Sequence, residues 1–313
     1  MVVMQPASDS FGTVLTAMVT PFDNDGELDL DGIQELVGWL IRDGWNDGIV
    51  VNGTTGESFA TTDREKAGII SGAVRAAGGR ARIVAGVGAA DTRHSVALAE
   101  MAAELGADGL LVVTPYYCRP TQEGLIQHFR AVADATALPV MLYDIPKRTG
   151  TAIEAATLVA LAEHPRIVAV KDAKGDLVST SWVLKHTELA YYSGDDALNL
   201  PLLSVGASGF VSVVGHVAAD LLRALLNHYR NGNVVEALAI HRDLLSLSTG
   251  MFRCPGAASA KAALRSLGLP GGPVRSPLVD LSATEYELLL GDLLACTTYA
   301  AQVAKNHPAH LPA

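Results

Sequence analysis

Lys171 closes the apolar run Ile167, Val168, Ala169 and Val170, and it is one of only seven lysines among 23 basic residues. A strand of that composition is buried on both faces of a parallel sheet. Its last side chain then emerges at the carboxyl end, where α/β barrels keep their chemistry. Desolvation at such a place favours the neutral amine, which can attack a ketone and form a Schiff base, as an ammonium cannot. Taken alone the residue reads first as a solvated cap, which most strand-end lysines are.

Other groups able to bind a ligand or move a proton end similar runs. Between Asn52 and Ser58, Gly53 and Gly56 bracket Thr54 and Thr55. Glycine lets the backbone approach a ligand, and successive N–H groups can receive a carboxylate. Tyr116 and Tyr117 follow another run, and Tyr143 ends a third ahead of Pro146, Arg148, Thr149 and Gly150. A phenol near its usual pKa of about 10 is a poor base, yet within a hydrogen-bonded chain it can relay a proton. Arg148 has the fork geometry to hold a carboxylate through two bonds. Each has an ordinary alternative: a glycine-rich turn, a rim-packing tyrosine, a solvated arginine. Asp195 and Asp196 stand where a barrel would place a phosphate, and two carboxylates there would repel one. Gly86 and Gly88 lack the dinucleotide fingerprint and a P-loop lysine, so no nucleotide is expected. Nine histidines show no HExxH or close ligand spacing, so no metal site is expected.

Positioning these groups on one face requires a repeated strand and helix unit. Eight strand-like runs occur, at 13–19, 48–52, 83–87, 109–114, 140–144, 167–171, 189–192 and 209–213. Intervening segments such as 29–43 and 92–105 carry apolar residues at three-to-four spacing, with Gly44 and Gly106 just past their ends. Eight such units predict a closed (β/α)₈ TIM barrel over residues 12–230. Segments 233–248, 257–267 and 284–304 read as helices around the Pro- and Gly-rich stretch 270–277. They predict a C-terminal helical appendage over 231–313, to which the sequence assigns packing and no chemistry.

Composition narrows the function. Hydrophobic residues make up 49% of the 313, ample for one core. No apolar run reaches the length of a membrane span, and the first ten residues lack the regions of a signal peptide, so a cytoplasmic protein is expected. Cys118, Cys254 and Cys296 form no CxxC pair and are expected to be buried thiols. A net charge of −10 argues against a nucleic-acid groove and for a small-molecule partner. An anionic substrate must then be held by local amides or one arginine.

The order Gly53, Thr54, Thr55, Gly56, Glu57, then Tyr116 and Tyr117, then Tyr143 with Pro146, Arg148, Thr149 and Gly150, then Lys171, Asp172 and Ala173 resembles the pyruvate-dependent class I lyases related to N-acetylneuraminate lyase. Within them it most resembles the dihydrodipicolinate synthases, over residues 12–230, and a helical appendage fits that architecture. The resemblance implies that Lys171 forms the Schiff base with pyruvate and that Tyr143 donates and accepts protons. Thr54 would link Tyr143 to Tyr117, which in this family enters from a neighbouring subunit. Thr55 would hold the pyruvate carboxylate, with Gly194 and Val211 lining the pocket. Arg148 would receive the carboxylate of L-aspartate 4-semialdehyde. The resemblance further implies no metal or organic cofactor and a homotetramer built as a dimer of dimers. Rival readings are a sugar-acid lyase of the same superfamily and an oxoacid-binding paralogue without turnover. Three departures from the family pattern stand out: Asp144 where many members have Asn, Cys118 after the tyrosine pair, and an unusual stretch at 252–259. Asp63 or a basic Lys66, with Ala90 and His94, at the positions of the expected interface cleft further predict weak or absent inhibition by lysine.

Overall fold

The computed structural model describes residues 8–306. Eight parallel strands close into a barrel in chain order: β1 (Val14–Ala17), β2 (Gly48–Val51), β3 (Arg82–Gly86), β4 (Gly109–Val113), β5 (Val140–Asp144), β6 (Ile167–Asp172), β7 (Ala190–Ser193) and β8 (Gly209–Ser212). Val14 pairs with Phe210 and closes the ring. The eight runs expected from the sequence all form strands, each end within two residues of its predicted place.

Strand alternation sorts the side chains into two layers. Leu15, Ala17, Val50, Val84, Leu111, Met141, Tyr143, Ala169, Tyr192 and Val211 fill the barrel interior. Ile49, Val51, Ile83, Ala85, Leu110, Val112, Leu142 and Val170 point outward, against the surrounding helices. Phe11 lies inside the amino end of the barrel, edge-on to Tyr192. A β-carbon at Gly109 would stand 2.5 Å from the Phe11 ring, so this strand must begin with glycine.

The last barrel helix, Gly215–Arg230, packs on Val234–Gly250. One apolar cluster joins Phe210, Leu222 and Leu226 to Leu247, Leu264's neighbour Ala263, Leu289 and Leu293. The helix expected over 284–304 is instead two, Ala283–Ala295 and Thr297–Asn306. The Asp243 carboxylate accepts the N–H and hydroxyl of both Thr297 and Thr298, capping a new helix start. Among the cysteines only Cys296 is buried; Cys118 is exposed and Cys254 half-exposed, against the expectation for all three.

Candidate active site

The reactive pair comes from adjacent strands. Tyr143 on β5 and Lys171 on β6 are register partners, and both share the inward parity of Met141 and Ala169. The Lys171 Nζ lies 4.3 Å from the centre of the Tyr143 ring, and the two residues are only 4% and 6% exposed. Burial pulls the lysine pKa from its usual 10.5 down to about 8; Asp196 opposes the shift and Arg148 adds to it. Burial raises the Tyr143 phenol to about 12, against the pull of Arg148 and of a hydrogen bond with Thr54. The residues after each of the pair point outward and fasten the loops. Asp172 accepts the N–H groups of Lys174 and Gly175 and the Thr180 hydroxyl.

Gly194 sets how close β7 can come to the amine. A β-carbon there would lie 2.9 Å from both Cγ and Cε of Lys171, and its N–H donates to the Asp172 carbonyl. Val211 is buried in the interior layer beneath the site.

Thr54 and Thr55 lie on a tight turn after β2, opened by Asn52 at φ 55° and closed by Glu57 at φ 53°. Glu57 N–H donates to the Thr54 carbonyl and Ser58 N–H to the Gly53 carbonyl. Thr20 donates its hydroxyl to the Gly56 carbonyl at 2.7 Å. Gly86 has a role the sequence did not disclose: a β-carbon there would meet the Asn52 carbonyl oxygen at 2.3 Å, so its absence lets the turn cross β3. Thr55 follows Thr54 on the same turn, half-buried.

Arg148 lies on the short helix Pro146–Thr149, ended by Gly150 at φ 77°. Asp144 holds the far side of this turn by accepting Ile153 N–H at 3.1 Å, and its carboxylate sits 3.2 Å from the Lys174 ammonium. Its pKa is raised by burial and partly restored by Lys174. The Asp144 departure is therefore a buried ion pair behind the arginine turn. Arg148 borders two cavities. One is lined by Thr54, Phe59, Tyr116, Tyr143 and Ile145 among others. The second is lined by Ala173, Gly194, Asp195, Thr249 and Phe252, so the appendage roofs part of the site. Tyr143 in the wall of the first and Gly194 in the wall of the second both lie against Lys171.

Tyr117 does not join this cluster within its own chain. It is 95% exposed with φ 71°, and Tyr116 lines the cavity in its place. Asp196 is not the free rim anion expected from the sequence. It is buried, accepting the Ser212 hydroxyl and the N–H groups of Val213 and Val214, and so ties β7 to the end of β8. Lys66, expected to stand beside an interface cleft, turns inward with its ammonium on the Thr61 carbonyl, while His94 pairs with Asp63. Among the described residues no group of three or more His, Cys, Asp or Glu side chains could hold a metal. Among them, too, no helix is long and apolar enough to cross a membrane.

The sequence model of the dihydrodipicolinate synthetase family matches residues 10–295. The chain belongs to that family. It is 60% identical over 285 residues to the 4-hydroxy-tetrahydrodipicolinate synthase of Acidothermus cellulolyticus, covering 91% of this chain and 92% of that one. It is 59% identical to 4-hydroxy-tetrahydrodipicolinate synthase 2 of Streptomyces coelicolor, covering 91% and 95%. The family fold extends to solved structures. The enzyme of Cyanidioschyzon merolae with lysine bound superposes with a TM-score of 0.90 at 41% identity, over 92% of this chain and 98% of that one. That of Bacillus anthracis gives 0.88 at 40%, over 90% and 97%. Within this dihydrodipicolinate synthetase family member, Thr54 and Thr55 follow β2, Tyr143 and Arg148 come from β5 and the turn after it, Lys171 from β6, Gly194 from the end of β7 and Val211 from β8.

Proposed function

We infer that the protein is a lyase with 4-hydroxy-tetrahydrodipicolinate synthase activity, condensing pyruvate with L-aspartate 4-semialdehyde in the lysine and diaminopimelate branch of amino-acid biosynthesis. The observation that carries the mechanism is the buried amine of Lys171, lowered to about 8 beside the Tyr143 phenol. At neutral pH about a tenth of it is a free nucleophile, against roughly 0.03% for a solvated lysine. Attack on the pyruvate ketone followed by loss of water gives an imine. Its methyl group then yields a proton to become an enamine, whose carbon adds to the aldehyde. Transimination by the substrate's own amine closes the ring and frees Lys171.

Each step moves a proton. A phenol raised to about 12 remains protonated between steps and so acts first as a donor, returning the proton through Thr54. Thr55 and its neighbouring amides receive the pyruvate carboxylate, with Gly194 and Val211 as pocket wall, and Arg148 receives the carboxylate of the aldehyde. Tyr117 completes the relay from a neighbouring subunit. Its full exposure on a left-handed backbone, aimed away from its own chain, supports this role. The reading carries with it a cytoplasmic enzyme built as a dimer of dimers, with no metal or organic cofactor required by the imine chemistry.

Relatives at 52% to 60% identity bearing the same synthase name weigh against a sugar-acid lyase, and the assembled amine, phenol and arginine against a paralogue without turnover. Borohydride reduction with pyruvate, read by mass spectrometry, tests the reading. One reduced pyruvyl group should appear on Lys171 and none in Lys171→Arg, whose guanidinium stays protonated. An unmodified Lys171 peptide in active protein rejects the mechanism, and an aldehyde panel then tests the second substrate separately.

A further inference from the structure

The C-terminal appendage reaches the catalytic turn through a buried ion pair. Lys261, on the helix Gly256–Ser266, places its ammonium 2.6 Å from a Glu57 carboxylate oxygen, and both side chains are 0% exposed. The ammonium also donates to the Pro273 carbonyl at 2.7 Å and lies 4.3 Å from the centre of the Phe22 ring. The second Glu57 oxygen accepts the N–H of Arg275 at 2.8 Å. Arg275 then grips the other side of the same loop, donating to the carbonyls of Gly26 and Ala60 and to the Glu65 carboxylate. The strand of chain between the two cations threads too closely for side chains. β-Carbons at Gly271 and Gly272 would stand 2.4 Å and 2.1 Å from the carbonyl oxygens of Lys261 and Phe22.

Stability is a weak reason for this arrangement, since a buried pair roughly breaks even against apolar residues of the same volume. What it supplies is a fixed distance. Glu57 holds a left-handed backbone that non-glycine residues avoid, and its N–H closes the turn onto the Thr54 carbonyl. Its side chain is clamped at both oxygens, so the appendage sets where the turn ends and where the Thr54 hydroxyl meets Tyr143.

We propose that Lys261 and Glu57 are a positioning pair through which the C-terminal helices aim Thr54 at Tyr143; this rests on the reading that Thr54 serves Tyr143 in turnover. The pair touches no substrate. It acts through the three-residue turn, and its disturbance should therefore reproduce the loss of Thr54 itself.

The test is a double-mutant cycle in the full-length enzyme. Glu57→Asp keeps both charges buried but draws the carboxylate back by roughly the 1 Å that costs about a hundredfold in rate when a reacting group is displaced. We expect kcat to fall by about that factor, with the pyruvate KM within about threefold of the parent. Thr54→Val should lower kcat by about the same factor with the pyruvate KM likewise kept, and adding Glu57→Asp to it should cost no more than about twofold further, the scatter of independent effects. Lys261→Arg, read in the same cycle, replaces Glu57→Asp if the latter does not fold. A Glu57→Asp enzyme at parental kcat, or losses that multiply in the Thr54→Val background, overturns the positioning role alone. A Thr54→Val enzyme at parental kcat overturns the reading of Thr54, and this inference with it. Failure of the pyruvate adduct in the parent enzyme would instead count against Lys171.

Discussion

Gly194→Ala isolates the demand that Lys171 places on its neighbour. The new β-carbon would lie 2.9 Å from Cγ and Cε of the lysine and 3.2 Å from the Asp172 carbonyl oxygen. Carbon pairs are comfortable at about 3.5–4.0 Å, so the lysine must give way by roughly 0.6–1.1 Å. It has nowhere to go cheaply, because Tyr143 covers its other side and the site is buried. The backbone of Gly194 is outside the left-handed region, so alanine fits the chain itself. Overpacking costs about 1–3 kcal/mol and the stiffer unfolded chain returns about 0.4–1 kcal/mol, leaving a modest net destabilisation. A reacting amine displaced by about 1 Å loses roughly a hundredfold in rate, or about 2.7 kcal/mol of transition-state stabilisation. Catalysis should therefore suffer well beyond stability. The assay is the time course of pyruvate trapping on Lys171 under quenched borohydride, read beside thermal unfolding. Gly291→Ala is the control: it sits in an exposed helix with nothing within 4 Å, and should gain up to about 1 kcal/mol with trapping unchanged. A Gly194→Ala enzyme that traps pyruvate within about threefold of the parent would refute the argument that this glycine sets the position of the amine.

Four further outcomes can be measured. Because Lys171 titrates near 8, adduct formation should rise about tenfold per pH unit below pH 7 and level off above about 8; a flat rate from pH 6 to 9 would place the amine elsewhere on the scale. The same group makes stability rise between pH 8 and 10.5, where the unfolded lysine binds a proton that the folded one does not. Arg148→Ala should weaken use of the aldehyde by about 2–4 kcal/mol while the pyruvate adduct persists. Its formation should shift to higher pH, because Arg148 lowers the Lys171 pKa; loss of the adduct with retained aldehyde preference would reverse the assignment. Mixing inactive Tyr117→Phe with inactive Lys171→Ala under subunit exchange should restore activity at sites that receive both intact groups, and demonstrated mixed dimers without activity would reject donation across an interface.

The barrel was legible because its signals are local. An apolar run such as Ile167 to Val170, repeated eight times between helical segments, fits strands buried on both faces of a parallel sheet, and the topology of the closed barrel then sends every run's last residue to one rim. Lys171, Tyr143 and the threonine turn could be grouped on that basis before any contact was known. Pairings across distant segments left no such trace. Asp243 breaks the helix expected over 284–304 by capping Thr297, although nothing near Thr297 marks a stop. Asp196 looks like half of a solvent-facing acidic pair until the N–H groups of Val213 and Val214 are brought to it. Lys261 is the plainest case. In an alanine-rich helix its sequence surroundings are the same whether the ammonium meets water or a carboxylate, and only the fold supplies Glu57. A residue's chemistry can thus be read from its position on a strand, whereas the partner that tunes or aims it depends on where the rest of the chain comes to rest. The catalytic turn illustrates both at once: its two threonines announce themselves as a motif, and the glutamate that follows them is anchored from the far end of the molecule.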